Sequence, residues 1–186
     1  MADPPSSDPK AHARLVLYQV SLGLVLVAIN HRAIQVALPT LTHVFHADLS
    51  FIQWVLLVYD LAVIGLVLTL GRLGDLFGRK WIYIVGFLIF VLASASCGLA
   101  QTSAQLIAAR VLQGIGGAVI LANGRALVSI NSLPSERGKA LGITSTAYHV
   151  GYLAGPTLGG LIIDTIRWRW IFFATMPIGL GCAYFV

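Results

Sequence analysis

Six apolar runs, most of them about twenty residues long, set what this chain can fold into. They lie near residues 15–38, 51–70, 81–100, 105–127, 140–163 and 171–186. At 1.5 Å per residue, a helix of roughly 20 residues crosses the ~30 Å hydrocarbon layer of a bilayer. Strands of a membrane barrel would be about ten residues long and would alternate in polarity. These runs are continuous, so the fold class is an all-α membrane protein. Charged residues make up 10% of the chain, where a soluble domain carries about 25%.

Residues 1–14, with Pro4, Pro5, Ser6, Ser7 and Pro9, read as a disordered tail. Lys10 and Arg14 ahead of the first run imitate a signal peptide. No A-x-A-like cleavage site follows, however, and the run outlasts a secretory h-region. The last run is short and stops at Val186 without a polar flank. The expectation is a truncated sixth span and a chain that is half of something larger.

Charge placement orients the runs. Lys10, Arg14, Arg72, Arg79, Lys80, Arg137 and Lys139 sit in the tail and in the second and fourth connections. Arg167 and Arg169 occupy the opposite side. The positive-inside rule therefore puts the N-terminus and the connections 71–80 and 131–139 in the cytoplasm of a bacterial-type plasma membrane. Trp54, Trp168 and Trp170 are then expected in the outer aromatic belt and Trp81 in the inner one. Because the bases follow topology and form no patch, nucleic acid is excluded as a partner. Cys97 and Cys182 fall inside apolar runs and read as small buried hydrophobes. No metal-ligand spacing, nucleotide-binding motif or catalytic motif is present, so no metal, cofactor or enzyme activity is expected.

Four stretches carry a family resemblance. "GRLGDLFGRK", Gly71 to Lys80, reads as a tight basic turn and resembles the loop signature G-x-L-x-D-x-x-G-R-K of the major facilitator superfamily. "RVLQGIGGA", Arg110 to Ala118, resembles that family's span-four motif R-x-x-Q-G-x-x-x-A. "GYLAGPTLGG", Gly151 to Gly160, resembles its span-five antiporter motif G-x-x-x-G-P-x-x-G-G. "VALP" at 36–39 and "WRWIFF" at 168–173 are similar to the fourteen-span multidrug:proton antiporter branch. The resemblance implies an N-terminal six-helix bundle built of two inverted three-helix repeats around a cavity. It further implies ion-coupled export of a small amphipathic molecule, with protons and a missing C-terminal half or second copy as partners beside the bilayer.

The residues behind those motifs have their own physics. Arg110, Gln113, Gly114 and Gly117 share one helix face, which belongs against protein or water and not lipid. Gly151, Gly155 and Gly159 form a small-residue stripe for close helix packing, with Gly160 beside it. Pro156 removes a backbone donor, and a loosening of the helix is expected there. In the gate turn, Gly71, Gly74 and Gly78 offer close approach and positive φ, Asp75 a cap or ion pair, and Arg79 and Lys80 a contact with anionic lipid.

Span one departs from the antiporter pattern. In "INHRAIQVALP", Asn30 stands where the branch resembled has an acid, and Arg32 where it has a threonine. Arg32, Asp60 and Arg110 are placed at similar depths, about 8–13 Å below the outer surface, which suggests one charge network. Asp60 is expected as counter-charge to Arg32, Arg110 or both, either as a static ion pair or as the proton-titrating group. Two arginines against one acid leave open an organic-anion permease. His31 and His149 read as packing residues before proton relays. A non-transporting fragment, or a half-transporter needing a partner, is the remaining alternative.

Overall fold

The structure is a computed structural model and describes residues 9–185. Its helices are α1 (Pro9–Phe45), α2 (Leu49–Ile52), α3 (Trp54–Phe77), α4 (Arg79–Leu99), α5 (Ser103–Asn131), α6 (Arg137–Thr165), α7 (Trp170–Phe173) and α8 (Thr175–Phe185). Gln53 keeps helical dihedrals between α2 and α3, and Ala174 does the same between α7 and α8, so six rods result. Four stretches, lying in α1, α2–α3, α4 and α5, are long and apolar enough to cross a membrane. The fifth rod, α6, has the length, but six glycines and several hydroxyl residues dilute its apolar character.

Two boundaries differ from the sequence reading. α1 begins at Pro9, inside the stretch expected to be a disordered tail. A proline in the first helical turn fits, because its missing N–H has no partner there in any case. Residues 1–8, the rest of that tail, lie outside the described residues. At its other end α1 continues through Pro39 to Phe45, and Thr42 Oγ1 donates to the Pro39 carbonyl at 2.6 Å. α5 starts at a side-chain cap, where Thr102 Oγ1 accepts from the Gln105 amide at 3.2 Å while Gln105 Oε1 accepts from the Gln101 amide at 2.9 Å.

Packing follows an internal symmetry. α1 lies along α6, and α5 lies along α3; α4 packs on α5, and α8 on α1. Exchanging the first three rods for the last three converts each of these pairings into another. That is the pattern of two inverted three-helix repeats, the bundle that the sequence predicts.

Backbones approach closely where side chains are absent. A Cβ on Gly151 would lie 2.7 Å from the Val25 carbonyl oxygen, and one on Gly159 would lie 2.7 Å from Ala33 Cα. Gly155 meets Arg32 Cβ in the same way at 2.6 Å. Gly116 does the equivalent between α5 and α4, 2.7 Å from the Phe90 nitrogen. Such contacts let dispersion hold helices together where no hydrophobic gradient exists. Gly160 differs from its neighbours, with nothing within 4 Å of its position. α6 stays helical on both sides of Pro156, where the sequence predicts a loosening; the flanking Gly155 and Gly159 contacts hold it to α1.

The apolar interior has two parts. One cluster gathers Leu24, Tyr83, Phe87, Phe90 and Ile120. The other gathers Ile34, Leu41, Ile52, Leu106, Trp168 and Phe172. Trp168 thus packs in the core, edge-on to Phe45 and Phe172, and does not sit in the aromatic belt expected for it. Trp54, Trp81 and Trp170 are exposed.

Gly116→Ala and Gly159→Ala should each lower the unfolding free energy in mixed micelles by about 1–3 kcal/mol, the cost of overpacking. Gly160→Ala should change it by no more than about 0.5 kcal/mol. Denaturant titration followed by circular dichroism reads the difference, and equal effects at all three positions would refute the packing assignment.

Candidate functional site

Between the two apolar clusters runs a polar layer. On α1 it is Asn30, lying between Val27 of one cluster and Ala33 of the other; on α4 it is Ser94, between Phe90 and Cys97. α5 contributes Arg110 and Gln113, and α3 contributes Tyr59. Arg110 is fully buried, with 0% exposure. A guanidinium left facing hydrocarbon would cost at least about 2.5–3.5 kcal/mol at a helix centre, so its partners decide whether the bundle forms.

Those partners come from α1, α3 and α5, and Gln113 extends them to α4. Arg110 Nε donates to the Val55 carbonyl at 3.0 Å, and Nη1 donates to Gln113 Oε1 at 2.5 Å and to Asn30 Oδ1 at 3.5 Å. Gln113 Nε2 donates onward to Ser94 Oγ at 2.6 Å, which donates to the Phe90 carbonyl at 2.8 Å. The guanidinium carbon lies 4.2 Å from the centre of the Tyr59 ring. Gly117 makes room for that ring, since a Cβ there would fall 2.5 Å from the Tyr59 hydroxyl, and Gly114 admits the Tyr59 backbone, where a Cβ would fall 2.9 Å from the carbonyl oxygen. The face Arg110, Gln113, Gly114 and Gly117 is therefore buried against protein. Arg110 Nη2, Asn30 Nδ2 and Tyr59 Oη are buried without a hydrogen-bond partner.

The expected pairing of Asp60 with an arginine is not found. Among the described residues neither Arg32 nor Arg110 has a carboxylate in salt-bridge contact. Asp60 Oδ1 instead lies 3.5 Å from His31 Nε2. The His31 ring stacks on Tyr59, with centroids 4.9 Å apart and planes at 23°. Arg32 points to another helix: its guanidinium lies 4.0 Å above the Tyr152 ring of α6, and Nη1 donates to Gln35. The physical reason is axial rotation. Arg32, one residue beyond His31 on α1, is turned about 100° away from it, so His31 and not Arg32 meets α3. The predicted single network is two neighbouring groups, one around Arg110 and one around Arg32.

The basic turn is tighter than the sequence suggests. α3 continues through Gly71, Gly74 and Asp75 to Phe77, α4 begins at Arg79, and Gly78 alone joins them at φ 92°. Asp75 Oδ1 and Arg79 Nη2 close an ion pair at 2.5 Å across that joint, while Lys80 is exposed. Gly74 packs on α5: a Cβ there would fall against Asn123 Oδ1, well inside contact distance. Asn123 Nδ2 donates to the carbonyls of Leu70 and Val119 at 3.2 and 3.1 Å. An amide within an apolar run was the available signal for Asn123; Ser94, in a run of small residues, offered none.

Fold and site define a multi-span α-helical membrane protein of inverted repeats with a buried polar layer. The chain belongs to the Major Facilitator Superfamily, whose profile matches residues 20–186. It is 35% identical over 167 residues to the riboflavin transporter RibZ of Clostridioides difficile, covering 89% of this chain and 36% of that protein. The tetracenomycin C resistance and export protein of Streptomyces glaucescens is 32% identical, over 97% of this chain and 34% of the relative. Multidrug resistance protein Stp of Mycobacterium tuberculosis (strain CDC 1551 / Oshkosh) is 36% identical over 89% of this chain and 31% of its own length. The chain thus spans about a third of these curated relatives. The crystal structure of a bacterial homolog of the human lysosomal transporter Spinster, inward-facing and unoccupied, superposes with TM-score 0.74 at 20% identity. It covers 97% of this chain and 44% of that one.

Arg110→Lys should cost about 1–3 kcal/mol of stability, because one ammonium cannot serve Val55, Gln113 and Asn30 together. A double-mutant cycle of Arg110→Lys with Gln113→Leu should give a coupling of about 0.5–3 kcal/mol. Additive effects would dissolve the proposed layer into unrelated contacts.

Proposed function

We propose that this chain is the first six-helix half of a secondary transporter that exports a small amphipathic compound by alternating access, driven by a proton gradient. One observation carries the reading: a fully buried guanidinium held by carbonyl, amide and aromatic groups from α1, α3 and α5, with Gln113 tied on to α4. A bundle that only had to persist in lipid would fill that level with leucine at lower cost. Asn30, Arg32, Asp60, Arg110 and Gln113 would line or brace the cavity. Gly71, Asp75, Gly78, Arg79 and Lys80 would form the cytoplasmic gate, with the N-terminus on the cytoplasmic side of a bacterial inner membrane. The face Gly151, Gly155, Pro156, Gly159 and Gly160 would let α6 move against α1.

The names borne by the relatives, a riboflavin transporter and multidrug or tetracenomycin exporters, favour transport of bulky ring compounds over catalysis, and no residue is assigned an enzymatic role. The opposite cavity wall would come from a C-terminal half or from a second copy. A second reading, an organic-anion permease, is favoured by Arg32 and Arg110 lacking carboxylate partners among the described residues.

Efflux of fluorescent amphipathic dyes should be measured in cells producing either this chain or the product of its coding frame extended by a second half. The extended product should lower dye retention severalfold, and a protonophore should abolish the effect. The chain alone should not. Loss of efflux only with organic-anion competitors would select the permease, and unchanged retention of both cationic and anionic dyes by the extended product would reject transport.

A further inference from the structure

Resting on the transporter reading above, we propose that His31 and Asp60 form the proton-exchange site of this chain, one proton shared between α1 and α3. The two side chains approach to 3.5 Å, and they differ in access: the Asp60 side chain is 48% exposed and that of His31 is 18% exposed. An exposed carboxylate and a less exposed imidazole behind it make an outer and an inner acceptor for the same proton. Imidazole is the side chain whose charge ordinarily changes between about pH 5 and 8. His31 Nε2 faces the carboxylate, and Nδ1 is buried without a hydrogen-bond partner.

The pair is wired to the buried guanidinium. Tyr59 carries the His31 ring stacked on it and lies within 4.2 Å of the Arg110 guanidinium. His31 is on α1, Tyr59 on α3 and Arg110 on α5. Groups acting on the site include Arg32 from α1, Tyr59 from α3 and Arg110 from α5. From α6, Tyr148 acts on Asp60, and Tyr152 lies beneath Arg32. With the carboxylate ionised and the imidazole neutral, the Arg110 guanidinium acts on the one negative charge, while Arg32 acts on the imidazole. A hydronium that reaches the pair forms one new O–H or N–H bond there and departs as water, adding one positive charge. Release to a water on the other side breaks that bond. The loaded site sets an imidazolium and a guanidinium against the same aromatic ring, which opposes close packing of α1, α3 and α5. Proton loading thereby favours a looser junction of these three helices, and unloading the closed one described here.

The full chain in lipid nanodiscs, labelled with 15N-histidine, provides the test, the His31 resonance being assigned by its loss in His31→Gln. Asp60→Asn should weaken proton binding at His31 at least tenfold, because a paired carboxylate favours the imidazolium. Asp60→Glu should keep it within about threefold, and Asp164→Asn, an exposed carboxylate elsewhere, should leave it unchanged. A shift of less than about twofold in Asp60→Asn, or no titration of His31 between about pH 4 and 9, overturns the proposal. If Asp60→Asn does not fold, infrared spectroscopy of the carboxyl stretch decides. Its pH midpoint should move in His31→Gln, and an unmoved band overturns the pairing. Independent titration together with proton-driven efflux by the extended protein would sink the dyad and leave the transporter reading standing. Coupled titration without any efflux would do the reverse.

Discussion

A guanidinium at the centre of a greasy bundle has to be surrounded before the helices can close, and the rest of this structure is arranged around that demand. Arg110 takes a backbone carbonyl from α3, an amide from α1 and another from its own helix, and the last reaches on to α4. Withdrawing any one of these rods exposes a hydrogen-bonding group to hydrocarbon. The apolar clusters on either side supply area and shape, but hydrocarbon against hydrocarbon is nearly neutral in lipid. The polar layer therefore sets helix register more strongly than the leucines do.

Close approach is the second constraint, and it follows from the first. Hydrogen bonds of about 3 Å between side chains on different helices require short interhelical distances. Glycine at 114, 116 and 117 on α5, and at 151, 155 and 159 on α6, lets backbones meet where a methyl group would collide. Gly114 and Gly117 serve α5 with α3 as the α6 row serves α6 with α1, so one solution is used twice by the inverted repeats, while Gly116 packs α5 on α4.

Much of this was legible in the residues. Continuous apolar runs announce spanning helices, and the i, i+3, i+4, i+7 spacing of Arg110, Gln113, Gly114 and Gly117 announces a buried polar face. What could not be read is which partner each charge finds. Asp60, Arg32 and Arg110 were read at a common depth, which suggested one network, yet depth leaves rotation about each helix axis open. A turn of about 100° between adjacent residues sends His31 to α3 and Arg32 to α6. In the turn at 71–80, close approach and positive φ were open to all three glycines; Gly71 and Gly74 remain helical and pack on α5, leaving the bend to Gly78. Trp168 joins the misread charges, since an aromatic at a span end is equally suited to an interface and to a core.

That single joint has a mechanical consequence. Two long rods, α3 and α4, meet at one residue, and a clasp between Asp75 and Arg79 spans the meeting point. A linker without slack cannot absorb displacement. Any tilt of α3 must be passed to α4 as rotation about Gly78, or must first undo the clasp, so the connection behaves as a latch with two settings and not as a tether.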